Sequence, residues 1–133
     1  MKTMTLGVNE LDSLCNELPE DGIILLVGNL AAGKTTLVKA IALSLHVKEE
    51  VSSPTFSVMN VYEEKLFHYD IYQNGTNGFL QQGLLENLTQ DGLHVIEWAD
   101  DSFEKMLKNI GLGFTKISIE VVGDKRQYRI ENA

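Results

Sequence analysis

The chain has little of what several protein chemistries require. Its 133 residues include one cysteine, Cys15, so no internal disulfide can form, and the position falls on the apolar side of a predicted helix, where a thiol reads as core. Three histidines, His46, His68 and His94, show no metal-type spacing and have no cysteine pair beside them, so a zinc site is not indicated. No serine sits in a nucleophile-elbow pattern, which argues against a Ser–His–Asp hydrolase. Arginine is reduced to Arg126 and Arg129. Small-molecule kinases of the phosphate-loop type use several arginines to clamp two phosphorylated ligands and close a lid, so that reading is weakened. No apolar run approaches bilayer length and the N-terminal stretch lacks a signal-peptide layout, so a cytoplasmic location is expected. Basic residues number 11 against 19 acidic ones, a net charge of −8. Independent nucleic-acid binding, which needs a basic patch, is therefore not expected, while docking onto a basic protein partner is compatible with this charge. The length suits one domain over residues 1–133.

What the chain does have is Gly28-Asn-Leu-Ala-Ala-Gly33-Lys34-Thr35, which fits the phosphate-loop pattern G-x-x-x-x-G-K-T. The flanks are those the motif requires. Gly22–Val27 is an apolar, strand-forming run, and 35–45 is apolar almost all round, as a buried helix would be. Backbone N–H groups and a helix N-terminus in this order capture phosphate oxygens, Lys34 adds a point charge, and the Thr35 hydroxyl suits Mg²⁺. The chain is expected to bind a nucleoside triphosphate. The guanine-reading pattern Asn-Lys-x-Asp is absent from the sequence, which favours ATP.

Other elements follow from periodicity. Leu11, Leu14, Cys15 and Leu18 predict a helix, capped by Asn9 and stopped by Pro19. Residues 51–56 read as a connector, and 57–62 with 65–72 as a hairpin turning at Glu63-Glu64. Residues 73–78 read as loop, and Leu80, Leu84, Leu85 and Leu88 as a short helix weakened by Gly83. A buried-type strand at 93–97 precedes a helix capped by Asp101 with Glu104 in a box-like pair, ended by Gly111. Two last strands join at Gly123-Asp124. The expected architecture is α/β: a mixed, largely parallel sheet flanked by helices around a phosphate-loop unit.

Nucleotide hydrolysis needs a further acid near the metal, usually at the end of a strand beside the loop. Glu97 closes an apolar strand in that position, and its other reading is a solvated strand end. Asp70 shares a strand face with His68 and Tyr72. An edge strand facing water explains that pattern equally well. Trp98, next in sequence, points to the opposite face, and by itself reads as core.

Four separated pieces, 28–36, Ser53-Pro-Thr-Phe56, His68-Tyr-Asp-Ile-Tyr72 and Glu97-Trp98, together resemble the bacterial TsaE (YjeE) family of small ATPases, which serve synthesis of threonylcarbamoyladenosine in tRNA. The resemblance spans nearly the whole chain. It implies Mg²⁺ and ATP as cofactors and a partner, the TsaD–TsaB pair. It further implies that Gly28, Ala31, Ala32, Gly33, Lys34, Thr35 and Thr36 hold the phosphates, with Lys34, Glu97 and Asp70 in catalysis and Thr35, Glu97 and Asp70 at the metal. Thr55 would lie in a segment sensing the γ-phosphate, Trp98 close to the site or its docking surface, and Asn9, Asp100 and Arg126 near the nucleotide. Two positions depart from the family pattern: Ala31 stands where glycine is usual, and Gln73 where arginine is usual. The implied role is an accessory ATPase, slow alone, that regulates or resets the modification complex. The alternatives are a small-molecule kinase and a nucleotide-gated binding module in which hydrolysis is incidental.

Overall fold

The apolar runs dictate the centre of the molecule. Residues Ile23 to Leu26 and Leu93 to Ile96 are buried at every position, the behaviour of parallel strands covered on both faces. The computed structural model describes residues 2–28, 33–51, 59–72 and 75–132. Its strands are β1 (Lys2–Leu6), β2 (Gly22–Val27), β3 (Met59–Tyr62), β4 (Leu66–Asp70), β5 (Leu93–Glu97), β6 (Thr115–Val122) and β7 (Lys125–Asn132). They form one seven-stranded sheet in the order β1-β7-β6-β2-β5-β4-β3. The middle four, β6, β2, β5 and β4, run parallel; β7 and β1 extend one edge in antiparallel fashion and β3 the other.

Alternation along the strands sends side chains to two cores. Ile24, Leu26, Leu93, Val95 and Ile117 face α1 (Leu11–Cys15) and α2 (Lys34–Ser44). Ile23, Leu25, Tyr69 and Ile96 face α3 (Gly75–Gln81) and α4 (Asp101–Asn109), which contribute Phe79, Phe103 and Leu107. The α/β reading holds.

Several local expectations are corrected. β1 has no strand signature in the sequence; its Lys-Thr-Met-Thr stretch is polar, and pairing with β7 makes it a strand. Asn9 is not a helix cap but lies within a 3₁₀ turn, Val8–Glu10, whose Glu10 carboxylate accepts the Gly7 N–H at 2.8 Å. α1 stops at Cys15, well before Pro19. α2 buries one stripe, Lys34, Leu37, Val38, Ile41 and Ala42, and leaves Leu43 73% exposed, so it is not buried all round. Residues 75–78, read as loop, open α3, and Gly83 at φ 71 separates that helix from a 3₁₀ turn at Glu86–Thr89. The cap of α4 is Asp100, which accepts the Phe103 N–H at 3.0 Å, while Glu104 pairs with Lys116 at 2.9 Å. Residues 52–58, with Thr55 and the start of the predicted strand, lie outside the described residues, as do Ala31, Ala32 and Gln73.

The turn at Glu63-Glu64 is present, with both residues at positive φ (53° and 59°). The Glu63 carboxylate accepts the backbone N–H groups of Lys48 and Glu49, which offsets the strain of that conformation in a residue bearing a Cβ.

Candidate nucleotide site

In open α/β sheets, ligands bind outside the carboxyl ends of parallel strands, where helix N-termini gather. The chemistry-bearing residues of this chain converge on that end. β2 delivers Gly28, and after the loop Gly33 turns with φ 95 into the first turn of α2. That backbone conformation favours glycine, so the motif's second glycine answers a steric demand. Lys34 follows at once. Register places Glu97 at the end of β5 between Leu26 of β2 and Asp70 of β4. Leu93 and Val95 share the face packed on α2, and alternation adds Glu97, His68 and Asp70 to it.

Lys34 is 4% exposed, unusual for an ammonium group. Its Nζ donates to the Gly28 carbonyl and sits 3.6 Å from the centroid of the Trp98 ring, a cation–π contact. Burial pushes its pKa down, and the nearby Glu97 and Asp70 carboxylates oppose that shift. Glu97 is 3% exposed, which removes the solvated-strand-end reading. Its Oε2 is hydrogen-bonded to His68 Nε2. Asp70 is partly buried and ends its strand rather than lying midway; it accepts the Tyr72 N–H at 3.0 Å. Since β4 pairs with both β3 and β5, the edge-strand explanation for Asp70 also falls.

Trp98 does not continue the strand. It turns out at φ 68, a strained conformation for so bulky a residue and one that gathers at functional sites. Its ring packs in part against the Phe79 and Phe103 core on the opposite face and also lies against Lys34 and the exposed Tyr72, 4.6 Å from the latter. Sequence periodicity alone could not find this, because it assumes the strand goes on.

Arg126, on β7, also arrives at the loop: a Cβ built on Gly33 would lie 4.0 Å from its Nε. Together with Gly33, Thr36, Val8 and Tyr128 it lines a cavity of about 270 Å³ beside the start of α2. Thr35 is partly buried in the first turn of that helix. Asn9 is exposed next to the cavity-lining Val8. Asp100 holds the α4 N-terminus and accepts the Thr76 hydroxyl at 3.1 Å, so its carboxylate already has a structural task.

The donor set is hard oxygen, from the Thr35 hydroxyl and the Glu97 and Asp70 carboxylates, which suits Mg²⁺ rather than a softer ion. Among the described residues no cluster of three or more His, Cys, Asp or Glu is gathered to hold a metal unaided. Magnesium commonly takes one or two carboxylates and completes its shell with phosphates and water, so the residues fit an ion that arrives with a nucleotide. No described helix is long and apolar enough to cross a membrane.

The family described as "Threonylcarbamoyl adenosine biosynthesis protein TsaE" matches residues 3–130. A curated relative from Treponema pallidum, "tRNA threonylcarbamoyladenosine biosynthesis protein TsaE", is 36% identical over 110 residues, covering 80% of this chain and 78% of its own. A Bacillus subtilis protein of the same description is 28% identical over 120 residues, covering 82% and 75%. The crystal structure of Bacillus subtilis YdiB superposes with a TM-score of 0.65 at 23% identity, over 99% of this chain and 86% of that one, a likeness of fold.

Proposed function

The chain belongs to the TsaE family, and from that premise we propose that it is a cytoplasmic, single-domain, Mg²⁺-dependent ATPase. In this reading it serves the threonylcarbamoyladenosine modification of tRNA as an accessory to the TsaD–TsaB pair, which it regulates or resets. The observation that carries the reading is the burial of Lys34 and Glu97 beside Asp70, at the carboxyl ends of β2, β5 and β4. Buried charge is retained at a cost unless it has work to do, and an ionisable group perturbed as Lys34 is, in such a place, is a functional-site candidate.

Each residue has a role that follows from its position. Lys34, held between the Gly28 carbonyl and the Trp98 ring, exchanges the carbonyl for β- and γ-phosphate oxygens when nucleotide enters. The backbone N–H groups of the first turn of α2, with Thr36 at its surface, face the phosphates, and Arg126 flanks them. Thr35, Glu97 and Asp70 would hold the ion, and Glu97 would also orient the attacking water. Bound magnesium neutralises charge that builds on the phosphate oxygens. Trp98 and Tyr72 cover the lysine and exclude water from it. Arg126 and Arg129 are the chain's whole stock of arginine, and a finger supplied by another protein is worth about 10³–10⁵ in rate. Turnover by the isolated chain is therefore slow.

Steady-state hydrolysis measured alone and with TsaD–TsaB tests partner activation; equal, fast turnover in both defeats it. Depleting the protein and analysing tRNA nucleosides by mass spectrometry tests the pathway, with an unchanged threonylcarbamoyladenosine level as the refuting result.

A further inference from the structure

His68 is completely buried in β4, and its ring is engaged on one side only. Nε2 meets Glu97 Oε2. An ionised carboxylate has no proton to give, so the ring N–H is the donor. Nδ1 has neither solvent nor any hydrogen-bond partner among the described residues. For stability this is a poor use of the position. An orphaned buried acceptor loses its hydration without return, and a buried polar pair is commonly no better than well-packed apolar residues. The same face is aliphatic immediately below, at Leu66, Leu93 and Val95, so a leucine at position 68 would continue that core. An imidazole there needs a reason other than packing.

Glu97 supplies the reason. Its carboxylate lies within electrostatic reach of the Lys34 ammonium, and at low dielectric that attraction draws the two together. A carboxylate closed onto the lysine cannot serve an ion, and a lysine so closed cannot serve a phosphate. We infer that His68 is a positioning residue: its Nε2–H holds Glu97 Oε2, keeps the carboxylate from collapsing onto Lys34, and leaves Oε1 for magnesium or the attacking water. This rests on the ATPase reading given above. The ring acts through Glu97 and touches neither nucleotide nor ion, in the manner of the outer-shell groups that orient metal ligands elsewhere.

Four variants test it: His68→Leu, His68→Gln, Glu97→Gln and the His68→Leu/Glu97→Gln pair. Calorimetry gives ATP affinity with and without Mg²⁺, and kinetics give kcat and KM, for each. His68→Leu should leave metal-free ATP affinity within about twofold, weaken the magnesium dependence of binding by about 10-fold or more, and lower kcat by about 10–100-fold. KM for the magnesium complex should rise by about the factor that its affinity falls, because slow turnover makes KM a dissociation constant. His68→Gln carries an N–H at nearly the place of Nε2 and should restore most of both losses. Combined with Glu97→Gln, the leucine change should add no further loss. A His68→Leu protein with ordinary kcat and magnesium response overturns the inference, as does a fully additive double variant. Should His68→Leu fail to fold, the glutamine variant decides alone: folded but as impaired as Glu97→Gln, it refutes the positioning role. If Glu97→Gln is itself without effect, the ATPase assignment of Glu97 falls and the inference with it. An impaired Glu97→Gln beside a normal His68→Leu defeats only the positioning role.

Discussion

Two buried histidines sit on neighbouring strands and opposite faces of the same sheet, and their surroundings differ in kind. His94 is satisfied at both nitrogens: Nε2 donates to the Gln90 carbonyl at 2.9 Å, and Nδ1 accepts the Tyr69 hydroxyl at 2.7 Å. Phe67 stacks on its ring at a centroid distance of 4.3 Å. His68 is satisfied at one nitrogen, and its partner is a buried glutamate beside a buried lysine. The first is a finished polar network, which rigidifies a core. The second leaves Nδ1 unsatisfied, and the one bond the ring makes holds Glu97 rather than completing a core network. Burial alone does not distinguish a structural histidine from a functional one; completeness of hydrogen bonding does.

The comparison is open to experiment at both ends. The largest effect belongs to the unfinished side. Lys34→Ala removes the cation at the head of α2 and should weaken ATP binding about 100-fold, roughly 3 kcal/mol, read by calorimetry. Unchanged affinity would remove the phosphate role of this end of the sheet.

On the finished side, His94→Leu strands the Tyr69 hydroxyl and the Gln90 carbonyl, and should lower unfolding free energy by about 2–3 kcal/mol while sparing ATP affinity. The matched change across the sheet, His68→Leu with Glu97→Leu, replaces a buried pair by apolar groups and should cost no stability, or add about 1 kcal/mol, while abolishing hydrolysis. Equal destabilisation of the two in denaturant titration would erase the distinction.

A smaller effect appears with pH. Burial holds the His94 pKa below its ordinary value of 6.5, with the hydrogen bond to Gln90 opposing. The unfolded chain takes up a proton near 6.5 that the native ring refuses. His94 therefore contributes stability fully above that pH and loses it as pH falls toward the native pKa, by at most about 1.4 kcal/mol per pH unit. The difference between parent and His94→Leu, followed by denaturant midpoint from pH 8 to 5.5, should shrink accordingly; a constant difference would refute the assignment.

The smallest expected change lies between the two regions. Asp100→Ala removes the α4 cap and should cost about 1 kcal/mol in thermal unfolding. A simultaneous loss of ATP affinity would move Asp100 from capping alone to the nucleotide, where the family resemblance places it.

The motif at 28–35 was legible because its parts are covalent neighbours, and a glycine, a lysine and a threonine in that order carry their chemistry locally. Glu97 was legible almost as readily, since an apolar run ending in an acid marks the end of a buried strand. The α/β class followed from apolar runs alternating with helical stripes, and the hairpin at Glu63-Glu64 from its turn. Boundaries were read less well. Asp101 fits the sequence pattern of the cap that Asp100 provides, and α3 begins inside a stretch whose glycines and asparagines suggest loop.

By itself, then, the order of amino acids determined the G-x-x-x-x-G-K-T motif with its flanking strand and helix, the buried parallel strands and the acid at the strand end, all of which depend on residues near one another in the chain. Tertiary structure alone decided that His68 meets Glu97 across 29 positions, that Trp98 turns from its strand to lie against Lys34, and that Arg126 reaches Gly33. The reason is physical. Helix and strand periodicity specify which face a side chain takes, but which faces meet is set by sheet order and register, and those follow from the burial of two whole cores rather than from any local sequence.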